Sequence, residues 1–216
     1  PAVAALNAVF AADWYTETAQ VPDVVGAVAA RPGGLPCQLV PSGPGFAAEN
    51  NLRMFTSLLY SASRRISLTS PYFVPDESML YAVTTAAHRG VDVELFVSEV
   101  SDQFMVGHAQ ASYYRALLEA GVRIHQYPAP YILHAKHFTV DDDVAVIGSS
   151  NMDLRSFALN YEISLMMLGT DIVDRMRAVQ DRYRALSRPL TLQDWAQRPP
   201  LARYVDNVMR LTSALQ

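Results

Sequence analysis

Apolar positions along this chain follow two periods, and their alternation predicts the fold. Leu52, Phe55, Leu58 and Leu59 recur at helical spacing within residues 48–63. Ile66 to Ser70 is a short apolar run stopped by Pro71, the mark of a buried strand. Residues 76–89 predict a second helix, opened by Asp76 and closed by Gly90, with a strand over 91–98. A third helix over 107–120 ends at Gly121 and leads into a strand over 122–127. Strands alternating with helices in this way imply α/β architecture with a largely parallel sheet.

Beyond Pro130 the rhythm changes. Three strand candidates, 132–140, 143–149 and 160–168, follow with little helix between them. The turn Asp141-Asp142-Asp143 joins the first two as a hairpin. Residues 171–186 predict an Arg-rich helix. Over 201–215, Leu201, Tyr204, Val205, Val208, Leu211 and Leu215 share one helical face, with Arg203, Asp206, Asn207 and Arg210 opposite. This tail helix is expected either to pack on the domain or to lie on a membrane surface. At the other end, 2–19 reads as helix and 31–36 as a turn-forming linker; Cys37–Val40 is a strand that meets the turn 41–45. The expected organisation is therefore a helical tail of a preceding unit plus linker (1–36), a domain (37–188) and a helical extension (189–216).

Side chains two apart on a strand share a face. His134 and Lys136, Ser149 and Asn151, and Asn160 and Glu162 all have this spacing. Three neighbouring strand ends thus each deliver a polar pair into apolar sequence. Burying such groups unpartnered costs about 1–3 kcal/mol each, so they must satisfy one another or face a ligand. The residue types suit a phosphate. Lys136 offers three donors and a full charge, and Ser149 and Asn151 offer neutral donors. His134 can attack phosphorus as neutral imidazole or protonate a leaving oxygen as imidazolium. Glu162 is expected to accept from the second ring nitrogen and orient it, which requires hydrogen-bonding reach between the two. Singly, each has a plainer reading: a surface His–Lys pair, a turn at Ser149-Ser150-Asn151, a solvated Glu162. Their joint placement points to a phosphate-handling centre.

Composition narrows the partners. Half of the 216 residues are hydrophobic and 18% charged, enough for a sizeable core. A net charge of −4 argues against a general nucleic-acid coat. The single Cys37 excludes an intrachain disulfide framework. No apolar run approaches the roughly 18 residues that span a bilayer. The apolar segment 1–12 is short and lacks the basic flank of a signal peptide; since Met does not open the chain, a processed protein or an excerpt is expected. His88, His108 and His125 read as solvated or helix-end residues, and His137 as facing away from His134. Tyr72, Phe73, Phe104 and Met105 could line a lipid path, with ordinary packing favoured for each.

His134-x-Lys136-x4-Asp141, followed by x6-Gly148-Ser149-x-Asn151, resembles the signature of the phospholipase D superfamily at every specified position. Asn151–Phe157, Asn160–Glu162, Pro41–Pro44, Thr69–Glu77, Arg89–Val93, Leu118–Val122 and Ala12–Trp14 extend the likeness to the bacterial cardiolipin synthase branch. The resemblance implies a phospholipase D-like α/β fold, a mixed, mostly parallel sheet flanked by helices. It implies one half of an enzyme that joins two such motifs across a pseudo-twofold axis, the second coming from the same chain or an identical subunit. It implies double displacement through a phosphohistidine, with no cofactor and no metal. His134, Lys136, Asp141 and Glu162 become the catalytic set, with Asp141 orienting its loop rather than reacting. Lys136, Ser149 and Asn151 become the phosphate-binding set. Whether His134 attacks or protonates stays open. The implied substrate is phosphatidylglycerol at a bacterial cytoplasmic membrane surface, with glycerol released and no nucleic acid involved. Phosphodiester hydrolysis and a half-domain inactive without its mate are the alternatives.

Overall fold

The computed structural model describes residues 2–23, 33–46 and 48–212. Arg31 and Pro32 of the expected linker and residues 213–215 of the expected tail helix lie outside these. The order is α1 (Ala2–Thr18), β1 (Cys37–Ser42), α2 (Asn50–Ser61), β2 (Arg65–Thr69), β3 (Phe73–Val74), α3 (Glu77–His88) and β4 (Asp92–Ser98). There follow α4 (Phe104–Ala120), β5 (Arg123–Tyr127), β6 (His137–Val140), β7 (Val144–Gly148), β8 (Met152–Asp153) and α5 (Leu154–Ala158). The chain continues through β9 (Glu162–Leu168), α6 (Thr170–Leu186), β10 (Arg188–Leu190), α7 (Leu192–Ala196) and α8 (Pro200–Arg210).

One mixed sheet runs β1-β9-β7-β6-β2-β4-β5-β10, and β3 pairs with β8 in a small parallel ribbon. Helices α2, α3 and α4 lie on one face and α6 on the other, the expected α/β layering. Within the large sheet, parallel pairing is confined to β2, β4 and β5. Every other pair in it is antiparallel, so the parallel share is smaller than the sequence pattern implied. Connection length explains the split. The crossover helices α3 and α4 carry the chain back for parallel pairing, whereas the tight turn at 141–143 can only make a hairpin.

Local chemistry sets the element ends. Asp76 caps α3 by accepting from the Met79 N–H at 2.9 Å. Gly121 closes α4 at φ +96°, a conformation a side chain would strain. Between the layers Phe55 of α2 meets Phe138 of β6 edge to face, 4.8 Å between ring centres, among fully buried Leu59, Ile66, Leu68 and Leu117.

The polar interior was less legible. Glu94 is fully buried on β4 and gathers Arg65, Arg123, Arg184 and His125. His125 is therefore a buried partner, stacked on Phe96 at 4.9 Å, and not a solvated residue. His108 is paired too, its Nδ1 lying 2.7 Å from buried Asp206. His88 is exposed at the end of α3, as read from the sequence. The Asp206 pair also decides how α8 sits. Asp206, bonded to His108 and Arg198, faces α4, while Leu201, Tyr204 and Leu211 of the expected packing stripe are exposed. His108 and Arg198 offset the desolvation of the buried Asp206 carboxylate, which unpaired would be costly. No described helix is long and apolar enough to cross a membrane.

Candidate active site

Strands β6, β7 and β9 are neighbours, and their antiparallel pairing puts the start of β6, the end of β7 and the start of β9 on one sheet edge. His134 and Lys136 precede β6, Ser149 and Asn151 follow β7, and Asn160 and Glu162 lead into β9. The three polar pairs are thus brought together. All but Glu162, the first residue of β9, sit in irregular segments flanking shorter strands rather than inside them, because residues 131–136 and 149–151 leave the ladder.

Gly148 makes the close approach possible. A Cβ there would lie 2.5 Å from the Ile163 carbonyl oxygen. Without it, Ser149 clasps β9: its N–H donates to the Ile163 carbonyl at 3.0 Å and its Oγ accepts from the Ile163 N–H at 3.0 Å. The same Oγ donates a short hydrogen bond to Glu162. Asn160 Nδ2 donates to the other Glu162 oxygen at 3.3 Å.

These bonds overturn one expectation. Among the described residues no hydrogen bond joins Glu162 to His134; the carboxylate is taken by Ser149 and Asn160. The imidazole lies instead against Lys136, whose Nζ is 3.1 Å from Nδ1 and 3.5 Å from Nε2 and donates to the His134 carbonyl at 3.0 Å. Departure from strand geometry explains the miss, since face-sharing by alternation fails once the segment is irregular. Glu162 acts on the ammonium rather than the imidazole. Burial pulls Lys136 below the usual lysine range, and the charges of Glu162 and Asp153 oppose that pull.

Asp141 stands apart. It follows β6, with the roughly 13 Å length of that four-residue strand between it and the His134 end. Its carboxylate accepts from the backbone N–H groups of Ser63, Arg64 and Arg65 and from the Ser63 hydroxyl, at 2.7–2.9 Å. It ties the hairpin turn to the start of β2, and its own φ of +47° marks the tight turn.

Two neighbours were not assigned to the site. Asp153 is buried, caps α5 by accepting from the Ser156 N–H at 2.7 Å, and is held above the usual carboxyl range by burial, against bonds from Ser156 and Asn151. Asn151 thus leans on Asp153, while its Oδ1 has no partner. The signal was an acidic residue two places after Asn151, at a helix start. Tyr72 packs its buried ring edge-on to His134, 6.4 Å between centres. Its hydroxyl donates to Asp102 at 2.7 Å, and burial with that carboxylate pushes it up to about 12. Phe73 is core, whereas Phe104 and Met105 are exposed. Buried His137 faces Tyr183 on α6, away from the Phe55 side of the sheet. Among the described residues no three His, Cys, Asp or Glu side chains are grouped to hold a metal.

Residues 55–183 match the family described as cardiolipin synthase, PLD-like domain. Cardiolipin synthase A of Serratia proteamaculans is 36% identical over all of this chain, which covers 45% of that protein. The enzyme of the same name from Pectobacterium carotovorum is 34% identical, with the same coverage. The chain thus spans somewhat less than half the length of the curated relatives it matches. Among solved structures, the phospholipase D family member Nuc from Salmonella typhimurium superposes with a TM-score of 0.63 at 18% identity, covering 73% of this chain and 99% of that one. Phosphatidylserine synthase from Haemophilus influenzae gives 0.69 at 14%, covering 89% of this chain and 50% of that one. At these identities the structures speak to the fold.

Proposed function

This chain belongs to the family of cardiolipin synthase PLD-like domains, and from that premise we propose that it forms one half of a phosphatidyltransferase acting on phosphatidylglycerol. The observation that carries the reading is the convergence of His134, Lys136, Ser149 and Glu162 on one sheet edge, with His134 exposed and, among the described residues, without a carboxylate partner. In this reading a phosphodiester oxygen settles beside the Lys136 ammonium. A nitrogen lone pair attacks phosphorus and forms a phosphohistidine, while a second imidazole protonates the departing glycerol oxygen. That imidazole then takes the proton of the incoming lipid hydroxyl as its oxygen displaces the histidine. His134 fills one of these two places, and the other belongs to a second half, from the same longer chain or a second subunit. Lys136 holds the charge that builds on the equatorial oxygens. Ser149 and Asn151 complete the cradle, Glu162 sets the field around Lys136, and Asp141 keeps the hairpin in register with β2.

Phosphodiester hydrolysis is the second reading, because water can replace the acceptor hydroxyl at the same centre. Incubating the native full-length protein with phosphatidylglycerol labelled in both its acyl chains and its glycerol head group, in vesicles, separates them. Cardiolipin with free glycerol is expected. Phosphatidic acid as the main product supports hydrolysis, and absence of either product rejects the lipid reading.

A further inference from the structure

His134 lies in a stretch with no ladder to hold it, since residues 128–136 are irregular between β5 and β6. The connection from β4 to α4 grips that stretch instead. Glu99 donates its N–H to the Tyr127 carbonyl at 2.8 Å, and its carboxylate accepts from the Ala129 N–H at 3.1 Å. Buried Ser98 accepts from the Leu133 N–H at 2.8 Å, one residue before His134. From the other side Tyr72 sets its ring edge-on to the imidazole. That ring is fixed in turn. Its hydroxyl donates to Asp102 and accepts from the Gln103 side-chain amide at 3.2 Å, both in the same connection. Ser70 Oγ donates to the Tyr72 carbonyl at 2.5 Å and accepts from the Met152 N–H at 3.3 Å, next to Asn151. The Phe73 N–H donates to the buried Gln110 side chain at 2.7 Å.

We infer that Tyr72 is a positioning residue for His134: its buried ring, anchored on Asp102 and Gln103, holds the imidazole in the orientation that phosphoryl transfer requires. The inference rests on the role proposed above for His134 and supplies the orienting partner that Glu162 does not. Among the described residues no carboxylate is bonded to the imidazole, and the Lys136 ammonium, 3.1 Å from Nδ1, sits on a flexible stem. An edge-to-face ring contact has a preferred direction, and a ring bonded at its far end keeps that direction. The hydroxyl itself is a poor proton donor to a substrate. Its proton is committed to Asp102, and burial together with that carboxylate pushes it up to about 12. What Tyr72 offers His134 is therefore the placement of its ring.

Two readouts in the native full-length protein test this: turnover of phosphatidylglycerol, and carbethoxylation of His134 by diethylpyrocarbonate, located by mass spectrometry. The second needs no turnover and reads the access and protonation of the imidazole. Buried His137 reports folding in the same peptide by staying unmodified. Tyr72→Leu removes the ring and is expected to lower kcat by about 10²-fold with KM little changed. Carbethoxylation of His134 then speeds by about threefold to tenfold, what an edge-to-face contact supports, and its pH midpoint moves. Tyr72→Phe keeps the ring, loses the anchor and is expected to lower kcat by only about threefold to tenfold. Asp102→Leu should match it, and Asp102→Asn, which keeps an acceptor, should fall less than either. If Tyr72→Leu exposes His137, the comparison of Asp102→Leu with Asp102→Asn carries the test. Near-normal kcat and carbethoxylation in a folded Tyr72→Leu protein, or equal kcat in the two Asp102 variants, overturn the inference. So does a fall in kcat with carbethoxylation of His134 unchanged in rate and pH dependence, because the imidazole has then not moved. If the unaltered protein makes no product from phosphatidylglycerol, the transferase reading falls, and carbethoxylation alone decides whether Tyr72 sets the imidazole.

Discussion

Two polar clusters share this sheet and differ in how complete they are. Around Glu94 both oxygens are occupied: Arg65 and Arg184 each reach Oε2 at 2.7 Å, and Arg184, Arg123 and His125 lie 2.8, 3.1 and 3.3 Å from Oε1. Burial by itself would raise this carboxyl, but His125, Arg184, Arg65 and Arg123 hold it far below the usual range. Around Lys136 the network is open. Among the described residues His134, which is exposed, has no carboxylate partner and Asn151 Oδ1 has none at all, and the ammonium is pulled below its usual range by burial. A closed network stabilises one arrangement of the chain. An open one leaves donors, a charge and an imidazole for something that arrives later.

Substitutions sharpen or break that contrast. His134→Ala in the full-length protein is expected to cut turnover by more than about 10³-fold with an unchanged thermal midpoint; activity near normal would remove His134 from the chemistry. Glu94→Ala should do the reverse. It removes the carboxylate shared by Arg65 and Arg184, of which Arg184 keeps Asp181, and is expected to cost about 3–5 kcal/mol in denaturant unfolding, and a loss under about 1 kcal/mol would show the hub to be dispensable. Lys136→Met is expected to raise the barrier by about 2.7–4 kcal/mol through kcat, with little change in the unfolding midpoint.

A pH experiment is next in size. Buried His137 is lowered from 6.5 to about 4 by burial. The unfolded chain therefore takes up that proton near pH 6.5 and the native chain only near pH 4. The stability that neutral His137 supports is complete above about pH 6.5 and is lost as pH falls toward 4, roughly 3 kcal/mol in all. His137→Phe should flatten that part of the urea-midpoint profile, and identical profiles for the two proteins would contradict the assignment. The smallest effect is expected for Glu162→Gln. The amide keeps the Ser149 contact but removes the charge facing Lys136. A fall in rate of about tenfold is anticipated, well short of the loss from removing the ammonium itself. A loss as large as that of His134→Ala would mean that Glu162 shares in the reaction itself.

Much of this was legible in the chain. Helices α2, α3 and α4 and strands β2, β4 and β5 follow from apolar period and from Asp76 and Gly121, because each choice is local. The short β3, β8 and β10 and the small helices α5 and α7 carry no periodic signal, since two to five residues cannot show one. His125 and His108 were misread because their partners, Glu94 and Asp206, are distant in sequence, and only packing brings them together.

The sequence by itself determined the layering, the hairpin at Asp141 and the set of polar residues at the ends of β6, β7 and β9, because period, turn chemistry and residue type are properties of neighbours. Tertiary structure alone decided which of those residues touch. Glu162 went to Ser149 and not to His134, α8 turned its carboxylate inward, and Tyr72 came to lie against the imidazole. Such choices depend on distances between segments far apart in the chain, and side-chain spacing cannot encode those distances.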